Sequence, residues 1–205
     1  LTLLFLLFSF PTMVSSQAFP VISYNLRYDT PNDGPDRWDQ RKADVAALLS
    51  YYEPALFGIQ EGEYQQVQYL DSCLTAYAYI GVGREDGKTG GEFSAIFYDS
   101  TRFSLLREGT FWLSETPGEA SLGWDADWKR VCTYGFFRHK ATGRQLLYLN
   151  THLDNAGARA REESAKLLVE KLKELNPAGH PVLLTGDLNC PPDSPPMQIL
   201  TSVLD

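Results

Sequence analysis

The sequence has no basic run and no hydrophobic run long enough to cross a bilayer. Its 18 Lys and Arg stand against 26 Asp and Glu, a formal net charge of -8. That balance argues against a protein that holds a polyanion by general electrostatic attraction, so any phosphate must be met locally. The three cysteines, Cys73, Cys132 and Cys190, show no C-x-x-C spacing, and the three histidines, His139, His152 and His180, stand far apart. This argues against a cysteine zinc site and a His-rich metal centre; a hard, oxygen-ligated cation is easier to build from what remains. The glycines match neither a Walker loop nor a dinucleotide fingerprint, and no G-x-S-x-G elbow offers an activated serine. Internal repeats and low-complexity tracts are also missing.

What is present fits one globular domain: 205 residues with 43% hydrophobic content support one sizeable core. The stretch from Leu3 to Phe10 is apolar, and Ser16 and Ala18 follow at the -3 and -1 positions of a cleavage site. Residues 1–18 therefore read as a secretory signal peptide, with the mature domain at 19–205 and an exported destination, periplasmic or extracellular. An uncleaved anchor or a buried strand is the alternative, since a membrane span needs roughly 20 apolar residues. An exported protein could pair two of the cysteines; which two is open.

Strand-like runs recur at 20–25, 55–60, 78–82, 93–99, 103–108, 109–114, 131–139, 145–150 and 181–186. Helical spacing links Val45, Leu48, Leu49 and Tyr52, then Val67, Leu70 and Leu74, and last Ala160, Ser164, Leu167, Leu168, Leu172 and Leu175. Strand-helix alternation flanks a central block of strands alone, which predicts an α/β layered fold of mixed sheets. Two loops interrupt it. Residues 83–93 read as a connection, with phosphate contact by Arg84 as the alternative. Residues 115–130 carry Trp124 and Trp128 beside Lys129 and Arg130, either packing anchors or a substrate platform.

The informative feature is where the strands finish. "VISY" runs into Asn25 and Arg27, "LFGIQ" into Glu61, "LLYL" into the row Asn150, His152 and Asp154, and "VLLTG" into Asp187 and Asn189. Residues two apart in a strand share a face, so each end presents aligned polar groups, and one rim of a shared sheet would make them converge. Each has an ordinary structural reading as well. Glu61 could serve the next helix N-terminus, Asp187 could cap a turn, His152 could be a hydrogen-bonded structural residue, and Asn25 could tie one strand end to its neighbour. The conjunction of four points to chemistry. A carboxylate with an amide makes an open site for Mg²⁺ that keeps waters and takes a phosphate oxygen. A second carboxylate can direct water while a histidine donates to a non-bridging oxygen. Metal-assisted phosphoester hydrolysis fits that set.

"SYNLRY", "FGIQE", "NTHLDN" and "TGDLNCPPDS", in this order and at these separations, resemble the endonuclease/exonuclease/phosphatase superfamily, the deoxyribonuclease I-like fold. "GVGREDGKTGGEFSAIFYD" and "GWDADWKRVCTY" look like a bacterial exported branch of it. The resemblance implies a four-layer α/β sandwich, two packed mixed β-sheets flanked by helices, with a Mg²⁺ or Mn²⁺ phosphoesterase site. By matched position Glu61 would ligate the metal, with Asn25 supporting metal or phosphate. His152, Asp187 and Asn189 would be catalytic, and Arg84, Arg130 and Asp154 candidate substrate contacts. The implied substrates are phosphoesters: nucleic acid, sugar phosphate, inositol phosphate or phospholipid head group. No obligate protein partner is evident, and a monomer is expected. The family's final strand carries a Ser-Asp-His motif that does not occur before Asp205. The domain therefore reads as missing its C-terminal strands, with these residues alone inactive or poorly stable. The competing reading is a binding module that keeps the fold without catalysis.

Overall fold

The computed structural model describes residues 18–204, so the expected signal peptide lies, but for Ala18, outside the described residues. Eight strands, β1 (Val21–Asn25), β2 (Leu56–Gln60), β3 (Tyr77–Ile80), β4 (Ile96–Asp99), β5 (Phe103–Trp112), β6 (Val131–His139), β7 (Gln145–His152) and β8 (Val182–Asp187), build two sheets. Their orders are β1-β2-β4-β3 and β5-β6-β7-β8. The pairs β1-β2 and β7-β8 are parallel and the others antiparallel, so both sheets are mixed.

Alternation along the strands assigns three cores to four layers. On β2, Phe57 and Ile59 face α1 (Trp38–Tyr52) and α2 (Tyr64–Cys73), packing with Trp38, Val45, Leu49, Val67 and Leu70. Leu56 points the other way and meets Ile80, Ile96, Phe103, Phe137 and Tyr148 between the sheets. On β7, Leu147 and Leu149 turn outward under α3 (Ala158–Leu175) and α4 (Pro195–Thr201), against Leu168, Leu172 and Leu200. Helix, sheet, sheet and helix thus stack as expected.

Two local expectations change, and one short helix is added. The runs at 103–108 and 109–114 are one ten-residue strand, its register shifted by a bulge between Leu105 and Arg107. A bulge leaves an extra residue unpaired without ending the ladder, and Leu106 is exposed. On α1 the buried stripe is Trp38, Val45, Ala46 and Leu49, while Leu48 and Tyr52 stay open to solvent. The proline-rich stretch after Asn189 leads into α4, because Pro195 occupies the start of the helix, where a missing N–H costs nothing.

Between the sheets lies a polar clamp. Asn150 is fully buried; its Nδ2 donates to the carbonyls of Ile59 (2.8 Å) and Ala95 (3.0 Å). Its Oδ1 accepts from Gln60 Nε2 (2.8 Å) and Thr185 Oγ1 (2.9 Å). Residue 58 must be glycine, since a Cβ there would collide with Asn150 Oδ1. The clamp locks β2, β7 and β8 in relative position just below their C-terminal ends.

Candidate active site

The ends of β1, β2, β7 and β8 meet on one rim. Register places His152 beside Asp187 across the parallel β7-β8 pair and Asn25 beside Gln60 across β1-β2. The chain then turns sharply after each strand. Arg27 (φ 60°), Glu61 (φ 59°) and Asn189 (φ 47°) are three of the five described non-glycine residues with positive φ. A left-handed backbone is unfavourable for such residues and clusters at functional sites.

Asn25 joins the two acids. Its Nδ2 donates to Glu61 Oε1 (2.8 Å) and Asp187 Oδ2 (3.0 Å), and its Oδ1 accepts from the N–H of Arg27 (2.9 Å). Expected at both metal and phosphate, Asn25 here turns its nitrogen toward the carboxylates and acts as the bridge between them. Glu61 also accepts from the N–H of Tyr28 (3.2 Å). Its ordinary structural alternative falls away because Glu63 caps α2, in a reciprocal box with Gln66. Asp187 does cap a turn, through Oδ1 to the N–H of Asn189 (3.1 Å), while Oδ2 remains directed into the site.

His152 is 7% exposed. Asn189 Nδ2 donates to the Leu153 carbonyl (3.0 Å), which fixes its amide orientation, and also to His152 Nε2 (2.9 Å). The neutral ring therefore carries its proton on Nδ1. That atom has no hydrogen-bond partner and lies 3.9 Å from Glu92 Oε2. Burial, reinforced by Arg130, pushes the His152 pKa down to about 4, against the pull of Asp187 and Glu61.

Around these groups opens a cleft of about 420 Å³ lined by Arg27, Tyr28, Glu61, Arg84, Glu92, Trp128, Arg130, His152, Asn155 and Asn189. Arg84 and Arg130, the expected substrate contacts, both reach it. Arg84 pairs with Glu92 through two bonds of 2.8 and 3.0 Å. Burial lowers the Arg84 pKa and raises that of Glu92, each opposed by the other's charge. Asp154 does not reach the cleft: 1% exposed, it accepts from Arg130 Nε (3.1 Å) and the N–H groups of Gly157 (2.8 Å) and Ala156 (3.1 Å). Burial disfavours its charge, yet the Gly157 N–H, Arg130 and the Ala156 N–H hold its carboxyl below the usual range. It supports Arg130 from behind.

The structure adds Glu92, Tyr28 and Asn155 to the cleft. Glu92 belongs to no strand end; it is delivered by bridges that tie the adjacent Phe93 to Gly62 and Gly83. The only sequence signal was an acid at the close of a glycine-rich loop.

One atom each from Glu61, His152 and Asp187 lie within 4.8 Å of one another. Among the described residues neither Glu61 nor Asp187 is ion-paired with a Lys or Arg. Two carboxylates converging on one amide without a cationic side chain suit a hard divalent cation. The three cysteines are free, and among the described residues no helix is long and apolar enough to cross a membrane.

Fold and rim together define a class. The chain belongs to the Endonuclease/Exonuclease/phosphatase family, whose pattern it matches over residues 22–204. It is 42% identical to the mannosyl-6-phosphatase Bt3783 of Bacteroides thetaiotaomicron VPI-5482, with a TM-score of 0.88 over 90% of this chain and 70% of that one. An endonuclease/exonuclease/phosphatase family protein from Bacteroides thetaiotaomicron is 43% identical, with a TM-score of 0.87 over 89% of this chain and 67% of that one. Protein angel of Drosophila melanogaster is 27% identical over 173 residues, 80% of this chain and 47% of that protein. The chain spans less than half the length of the curated relatives it matches.

Proposed function

We propose that this is an exported, Mg²⁺- or Mn²⁺-dependent phosphoester hydrolase whose substrate is a small phosphoester, a sugar phosphate foremost. The observation that carries the reading is the pair Glu61 and Asp187, bridged by Asn25 and left without a Lys or Arg partner. A divalent cation at Glu61 would neutralise charge on the phosphoryl oxygens. Asp187 orients the attacking water and takes its proton, while Asn189 holds the same centre. His152, whose Nε2 lies 3.9 Å from Asp187 Oδ2, would contact the phosphoryl oxygens at this centre. One P–O bond forms to the water oxygen, the bond to the alcohol breaks, and the alcohol leaves after taking a proton from solvent. The likeness to a mannosyl-6-phosphatase supports a sugar phosphate over the other phosphoesters. The apolar leader at the N-terminus supports export.

The test is phosphate release by the intact protein from sugar phosphates, inositol phosphates, phospholipid head groups, DNA and RNA, with Mg²⁺ or chelator. Turnover that needs the cation and returns on its addition is expected. Turnover that survives chelation contradicts the metal, and binding without turnover favours a non-catalytic module.

A further inference from the structure

The cleft extends beyond the reacting groups, and its outer wall has an unusual composition. Contacts step outward from His152 to Glu92 (3.9 Å), from Glu92 to Arg84 (2.8 Å), and from the Arg84 guanidinium to the ring of Trp128, 5.7 Å from its centroid. Trp128 is 55% exposed, yet its loop is pinned on both sides. The Asp127 N–H donates to Asp154 (3.4 Å), Lys129 Nζ reaches the Glu85 carbonyl (3.0 Å), and the Arg130 carbonyl accepts from the Leu113 N–H (2.8 Å). Trp112 Nε1 donates to the Arg84 carbonyl (2.7 Å) and holds the backbone that carries Arg84 beside Trp128. A large ring left open on an anchored loop presents a rigid apolar face to whatever fills the cleft.

The charges say which kind of group that is. Each arginine of the cleft already has a carboxylate: Arg27 with Asp33 (3.0 Å), Arg84 with Glu92 (2.8 Å), Arg130 with Asp154 (3.1 Å). No guanidinium is free to neutralise a second phosphate, so the wall offers fixed donors and acceptors without net positive charge. Arg84 and His152 both line this cleft, while Arg84 Nε and His152 Nδ1 are themselves buried behind its surface without a hydrogen-bond partner. At about 420 Å³ the cleft falls within the range of about 300–1,000 Å³ of small-molecule sites.

We propose that Trp128, Arg84, Glu92 and Asn155 form the subsite for the leaving group and that it takes an uncharged, polyhydroxylated one, a pyranose whose C–H face stacks on Trp128 while its hydroxyls bridge Arg84, Glu92 and Asn155. This rests on the phosphoesterase reading and specifies its selectivity: the wall rejects leaving groups that carry further phosphates.

Calorimetric titration of the intact protein with a hexose 6-phosphate and, separately, with inorganic phosphate reads the subsite without requiring turnover. Trp128→Ala weakens hexose 6-phosphate binding about three- to tenfold and leaves inorganic phosphate within about twofold, with Trp128→Phe recovering most of the loss. Glu92→Gln unpairs Arg84, weakens the hexose ester and strengthens binding of a nucleoside diphosphate. Equal loss for both ligands in Trp128→Ala, or wild-type protein that prefers the nucleoside diphosphate, overturns the subsite. Selective loss in a protein that releases no phosphate from any ester keeps the subsite and sinks the hydrolase reading instead.

Discussion

His152 is held neutral by burial, with a pKa near 4 in place of 6.5. The unfolded chain therefore binds the proton more readily between those values. The stability this burial contributes is complete above about pH 6.5 and is lost as pH falls toward 4, a difference of roughly 3 kcal/mol at its largest. Urea midpoints of the chelated protein should decline across that window. In His152→Asn the part of the slope due to this ring should vanish; an identical slope would contradict the burial account. The same residue scale shows where sequence reading stops. Asn25, Glu61, His152, Asp187 and Asn189 were legible because each ends or follows an apolar run. The left-handed turns at Arg27, Glu61 and Asn189 were not, since no glycine marks them. Glu92 was hidden because a long-range bridge at its neighbour delivers it, and no local periodicity encodes that.

Among the elements, β7 shows how far a two-residue period reaches. Asn150, His152 and Asp154 share one parity and read from sequence as one row of functional groups. In the fold they do three jobs at three depths: Asn150 clamps the sheets, His152 lines the cleft, and Asp154 supports a loop beyond the strand end. Parity fixes the face of a strand and leaves undetermined what covers each point along it. The clamp makes a prediction at this scale. Asn150→Ala takes the side-chain donor from the Ile59 carbonyl and the shared acceptor from Gln60 and Thr185, and should cost about 3 kcal/mol or more in chemical denaturation. Gly58→Ala should cost about 1–3 kcal/mol by overpacking the same point. The positions of the strands were legible and several of their ends were not: β4 begins at Ile96 and not at residue 93, β7 runs on to His152, and the two runs of β5 are one bulged strand.

At the scale of the molecule, a net charge of -8 and a cleft whose arginines are each paired with a carboxylate give no support to general attraction of a phosphate polymer. Retention of a DNA oligomer should be slight and its salt dependence shallow, in contrast to the roughly 10³–10⁵-fold loss between 50 and 200 mM salt expected of a protein making many phosphate contacts. The four-layer stack brings strand ends from two sheets to one rim, and the account depends on the chemistry of that rim. The most direct measurement is phosphate release from a hexose 6-phosphate in saturating Mg²⁺ by the intact protein and its Asp187→Asn variant, both shown to be folded. A loss of about 100-fold or more in kcat is predicted. An Asp187→Asn protein that turns over at the unsubstituted rate would contradict the assignment of this rim as the catalytic centre.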